Sequence, residues 1–205
     1  MKWILFLLLL LFLVPGLAFG QFHRAEQDRE IRYWLQDPAT HQFKISHDFT
    51  VAQVGQASVH SFVRKGSTVN EDAKMYDLDT GQPLSTKNVS GKSVNALGYY
   101  PTPTEDDSVV VQGDLPKPIA EGETVRIRCE ESYTDPEGYI VQAGELVWTR
   151  TLGRPLNIVT LPAGWMLTRL NSPAIVTLDP EGRVTLRFTN IRNDNLAVTI
   201  RAKKR

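Results

Sequence analysis

The chain has 205 residues, 23 basic and 23 acidic, and one cysteine. That charge balance excludes the basic stripe of a general nucleic-acid binder, and a single thiol excludes an intrachain disulfide framework. Stability must come from buried apolar surface, which a chain of this length supplies as one large domain or two small ones.

The opening stretch MKWILFLLLLLFLVPGLAFG carries one positive residue, an unbroken apolar run from Trp3 to Val14, a Pro15-Gly16 break and small residues before position 20. This is the layout of a secretory signal peptide over residues 1–20, with cleavage after Gly20. An uncleaved anchor is the competing reading, but Pro15 and Gly16 interrupt the run short of the ~20 apolar residues a spanning helix needs. No later segment is long and apolar enough to span, so the expected product has no integral membrane span and is exported, to a periplasm or beyond the cell. An exported chain without disulfides fits a bacterial envelope better than an animal extracellular space. Past residue 20 the balance is 22 basic to 23 acidic.

Residues 21–40 read as a linker with one short amphipathic helix, because AEQDREIRYWLQDP spaces Ile31, Trp34 and Leu35 at i, i+3, i+4 before an Asp37-Pro38 stop. Everything downstream alternates with period two: QFKISHDFTV, SVHSFVRK, AKMYDL, SVVVQ, ETVRIRCEESYT, ELVWTRTL, NIVTL, WMLTRL, AIVTL, RVTLRFTN and LAVTIRAK, separated by Gly, Pro, Asn and Asp clusters. About ten to twelve short strands at this spacing predict an all-β chain of antiparallel β-sandwich architecture. The Pro-rich stretch around residues 100–118 suggests a division into a first β subdomain, 41–113, and a second β-sandwich subdomain, 114–205; one sandwich with a long connection is the alternative. Strand number is similar to that of immunoglobulin-like and fibronectin-like sandwiches, but the Cys–Trp–Cys framework is missing, so the likeness stops at architecture.

The densest chemistry lies in RCEESYTDPEGY, residues 128–139. Glu130 and Glu131 are adjacent and must point to opposite faces of a strand, so they cannot form a glycosidase pair, whereas Glu131 with Asp135 or Glu145 could. Period two puts Glu131 on the apolar face with Val125, Ile127 and Cys129, where a bare carboxylate needs a partner or a proton. The simplest escape is a strand that ends or bulges near Glu130 and leaves Glu131 at the rim, followed by a type I turn at Asp135-Pro136-Glu137-Gly138. Set against that scaffold reading are a calcium site built from Glu131, Asp135, Glu137 and nearby carbonyls, and a sugar or peptide surface built from Tyr133, Tyr139, Trp148 and Trp165. Arg150, Arg154 and Trp165 mark a second region of residue types that concentrate binding energy.

The spacings support no catalytic residue and no metal ligand set: G-x-S-x-G is absent, His23, His41, His47 and His60 lack the H-x-x-x-H spacing and read as surface or rim residues, and Cys129 sits mid-strand as a buried, inert thiol. The basic tail RAKKR reads as a frayed end, and SVVVQ as a strand that could lend an open edge to a partner. The sequence therefore predicts a non-catalytic binding or structural module of the envelope with a protein or glycan partner, no nucleic acid and no cofactor. A carbohydrate- or calcium-binding, or carbohydrate-active, protein using the loop 131–145 is the alternative.

Overall fold

The computed structural model describes residues 30–70, 73–192 and 194–205. The signal segment and residues 21–29 lie outside the described residues. Fifteen strands run in chain order among those described: β1 (Glu30–Leu35), β2 (Gln42–Val51), β3 (Ser58–Phe62), β4 (Thr68–Val69), β5 (Lys74–Asp77), β6 (Ser85–Ser90), β7 (Val109–Asp114), β8 (Val125–Thr134), β9 (Tyr139–Gln142), β10 (Glu145–Leu152), β11 (Leu156–Thr160), β12 (Trp165–Leu170), β13 (Ile175–Leu178), β14 (Val184–Thr189) and β15 (Leu196–Lys204). One short helix, α1 (Gly91–Asn95), follows β6. The all-β expectation holds, and each alternating run named above contributes a strand.

The strands form an eight-stranded sheet in the order β13-β14-β11-β1-β2-β8-β4, with β5 also paired to β8, a four-stranded sheet β12-β15-β10-β9, and a three-stranded sheet β3-β7-β6. Pairing is antiparallel throughout except between β1 and β11. The long strands β2 and β8 are the spine. Their shared face carries Phe43 beside Tyr133, Ile45 beside Glu131, His47 beside Cys129 and Phe49 beside Ile127.

One end of that face is covered by the four-stranded sheet. There Tyr33, Phe43 and Tyr133 meet Leu146, Trp148 and Ile200 in a cluster that also takes Leu186 and Phe188 of β14. The other end is covered by the three-stranded sheet, where Phe49, Ile127 and Cys129 meet Val59, Met75 and Val111. Gly113 belongs to this second closure: a Cβ there would come within 2.6 Å of the Met75 sulfur and 3.2 Å of a Val59 methyl, so glycine eases the close crossing of β7. Val63 and Val69 pack against both clusters, and β2 and β8 contribute to both.

Three local expectations change. The segment read as a helix is β1, held between β2 and β11. Ile31, Tyr33 and Leu35, at period two, are its buried residues; Trp34, which completed the helical spacing, is half-buried on the other face. Neighbours on both sides and Ile, Tyr and Trp content favour the pleated form. SVVVQ offers no free edge, because β7 is the middle strand of its sheet. The basic tail is not frayed: β15 runs to Lys204, Arg201 and Lys203 reach Glu145, and the Arg205 amide donates to the Gly164 carbonyl.

Candidate functional site

The strand β8 does not break at Glu130. It continues to Thr134, with Glu130 exposed and Glu131 buried on the apolar face, 5% exposed. The rim expectation for Glu131 is thus corrected. Its carboxylate accepts from the Ser61 hydroxyl at 3.2 Å and the Cys129 thiol at 3.1 Å, and Tyr133 is a further hydrogen-bonding partner. Burial, reinforced by the Glu131 charge, pushes both the Cys129 thiol and the Tyr133 phenol up from their ordinary values, so both remain protonated donors. Polar donors from three side chains make burial of this carboxyl tolerable where an unpaired one would be too costly.

Glu131 lies on the floor of an open cleft of about 1060 Å³ that exposes the middle of the large sheet between its two coverings. Tyr33, Ile45, His47, Phe49 and Tyr133 continue the floor. Ser61, Phe62 and Arg64 wall one side with Tyr99 and Tyr100; Arg150, Thr151 and Arg154 wall another. The volume is just above the usual range for small-molecule sites, and the lining mixes apolar and aromatic side chains with polar and charged ones in about equal measure.

Arg150 is the most constrained of these groups. Its side chain is 5% exposed and pairs with Asp135 at 3.4 Å. Its guanidinium stands 5.0 Å from the ring centre of Phe43, 5.5 Å from Tyr33 and 5.8 Å from Tyr133, within cation–π range of all three. Its Nε has no hydrogen-bond partner among the described residues. Arg64, at the cleft mouth, donates to the Thr151 carbonyl at 2.7 Å; partial burial and then the Arg150 charge hold its pKa below the ordinary value. The Arg154 Nε donates to His47 Nε2 at 3.2 Å.

On the opposite wall His60 is buried, not at the surface as its sequence context suggested. Burial lowers its pKa against the opposing influence of Gln112 and Asp114, and its Nδ1 lies 3.1 Å from the Tyr100 hydroxyl. Phe62 meets Tyr100 edge to face, with ring centres 5.1 Å apart, and is itself 41% exposed. The Tyr99 hydroxyl is anchored by the Ala57 amide at 3.1 Å.

Of the residues singled out in the sequence, Glu131, Tyr133, Arg150 and Arg154 converge on this cleft. Asp135 lies behind it, holding Arg150 and capping the Gly138 amide at 2.8 Å. The turn is wider than the type I form expected, closing from the Tyr139 amide to the Asp135 carbonyl, and a Cβ at Gly138 would meet the Asp135 carboxylate at 2.6 Å. Tyr139 is a core residue whose hydroxyl donates to the Gln36 carbonyl at 2.6 Å. Glu137 is exposed on the turn, and Trp165 is half-buried against the core; none of Glu137, Tyr139 and Trp165 lines the cleft. Among the described residues, no group of three or more His, Cys, Asp or Glu is placed to hold a metal ion, and no helix is long and apolar enough to cross a membrane. The sequence reading missed His47, His60, Phe62, Arg64, Tyr99 and Tyr100.

No family model and no curated protein matches the chain. Among solved structures, it is similar to an M1 zinc metallopeptidase from Deinococcus radiodurans, with a TM-score of 0.48 and 16% identity over 85% of this chain and 41% of that one. It is also similar to an aminopeptidase N family protein from Idiomarina loihiensis, with a TM-score of 0.46 and 10% identity over 85% of this chain and 29% of that one. The chain therefore spans less than half the length of either protein.

Proposed function

We propose that this chain is an exported, non-catalytic binding module of the cell envelope, and that its ligand, a glycan or a protein segment, enters the cleft over the middle of the large sheet. The observation that carries the reading is the convergence of Glu131, Arg150 and the Phe62–Tyr100 pair on one open cleft of about 1060 Å³. Export rests on the leader sequence, and the binding role rests on the site's chemistry: aromatic walls supply contact area, and the polar groups among them fix orientation. Glu131 is engaged by Ser61, Cys129 and Tyr133, which suits a recognition acceptor better than a general base. The module needs no metal or cofactor for this role.

The test is a binding array of glycans and peptides against the purified chain lacking residues 1–20, repeated with Phe62→Ala. Phe62 is partly exposed, so its truncation leaves folding intact while removing one aromatic wall. Any true cleft ligand loses roughly tenfold or more in affinity with the variant, the effect of losing one aromatic anchor. Ligands that bind both chains equally would place recognition elsewhere.

A further inference from the structure

Among the described residues, the side chains that line the cleft carry more positive charge than negative. Arg64 and Arg150 stand there beside the carboxylate of Glu131, which is already occupied by neutral donors. Asp135 answers Arg150 from behind, but only at 3.4 Å and only through Nη1. The Arg150 Nε, on a side chain more than nine-tenths buried, has no hydrogen-bond partner among the described residues. A buried cation that is incompletely satisfied is costly, and an anion arriving where Arg150 borders the cleft offsets that cost through its charge. Arg64 lines the same cleft and adds to that demand, since two guanidinia on one cleft favour an anion between them. Around these cations the surfaces are rings: Tyr33 and Tyr133 beneath Arg150, Phe62 and Tyr100 across the cleft.

We infer that the ligand of this cleft is an organic anion, a carboxylate or phosphate carried on a sugar or aromatic ring, with the acid oxygens against Arg150 and Arg64 and the ring between the aromatic walls. This rests on the cleft being the binding site and names the chemistry it takes. Arg150 supplies the fixed donor, because Asp135 and three rings hold it in place. Arg64, anchored only to a backbone carbonyl at the mouth, is the cation that adjusts to the incoming acid.

Matched pairs test this by calorimetry on the purified chain: galacturonate against galactose, glucose 6-phosphate against glucose, and benzoate against benzyl alcohol. At least one anion is expected to bind roughly tenfold or more tightly than its neutral twin, the worth of a charge-assisted hydrogen bond. That preference should shrink with added salt and with Arg64→Gln, whose fold is checked by its circular dichroism spectrum. The tightest pair shows whether the acid is a sugar carboxylate, a phosphate or an aromatic acid. Equal binding of both members of every pair, still lost with Phe62→Ala, would overturn the anion assignment and leave the cleft a binding site. Anion binding that survives Phe62→Ala and Arg64→Gln unchanged would overturn the assignment and the cleft reading together, and no binding by any anion at millimolar concentration would overturn the assignment.

Discussion

Asp135→Asn isolates what holds Arg150 in the cleft. Asparagine keeps an oxygen for the Gly138 amide, which Asp135 Oδ1 accepts at 2.8 Å, but removes the charge that faces Arg150 at 3.4 Å. The guanidinium, 5% exposed, is then left buried without a counter-charge, a change that costs about 3–5 kcal/mol in interiors. Because Arg150 borders the cleft, water reaches one side of it, which favours the lower end, about 3 kcal/mol. For a domain of this size that corresponds to a fall in Tm of roughly 6–12 °C. Asp135→Ala should cost about 1 kcal/mol more, since the Gly138 amide also loses its acceptor. The double variant Asp135→Asn with Arg150→Met removes the stranded charge and should recover most of the loss, landing within about 2 kcal/mol of the parent. Urea unfolding followed by the fluorescence of Trp148, fully buried against Tyr33 and Phe43, measures all three. A loss under about 0.5 kcal/mol for Asp135→Asn, or a double variant less stable than the single one, would refute the stranded-charge argument.

His60 links stability to pH. Its pKa in the folded chain lies below that of the unfolded one, so the unfolded chain takes up the proton first. The contribution of neutral His60 is therefore complete above about pH 6.5 and is lost as pH falls through that value toward the folded pKa. Tm should drop between pH 7 and 5, and His60→Gln should flatten that slope; parallel slopes would contradict the assignment. Cys129, 1% exposed with its thiol pushed up by burial and Glu131, should resist a thiol reagent in the native chain and react at once in denaturant. Tyr139→Phe leaves the Gln36 carbonyl without the hydroxyl that donates to it at 2.6 Å and should cost about 1–3 kcal/mol by urea unfolding.

The fold was legible wherever a strand shows one face to a core. Val184, Leu186 and Phe188, or Val198, Ile200 and Ala202, are buried in alternation as their spacing requires. Legibility failed where burial was not the organising signal. STKNVS has hardly an apolar residue and becomes β6 only because β7 offers it a partner. EIRYWL satisfies two periods at once over six residues, and pairing on both sides decides it. The site was half legible for a related reason. Glu131 could be placed on the apolar face by counting from Val125, but its partner Ser61 lies 70 residues away. Tyr99 and Tyr100 stand at the edge of the Pro-rich stretch, and only the fold brings His60 and Phe62 beside them. No local spacing reports a cleft whose walls come from separate sheets.

The most direct measurement is a heteronuclear NMR titration of the isotopically labelled chain, residues 21–205, with the tightest anion of the matched pairs. Shifts concentrated on Ser61, Phe62, Tyr100, Glu131 and Arg150 are the predicted result. Shifts confined to the outer turns at 136–138 and 162–165, with those five residues unmoved, would contradict it.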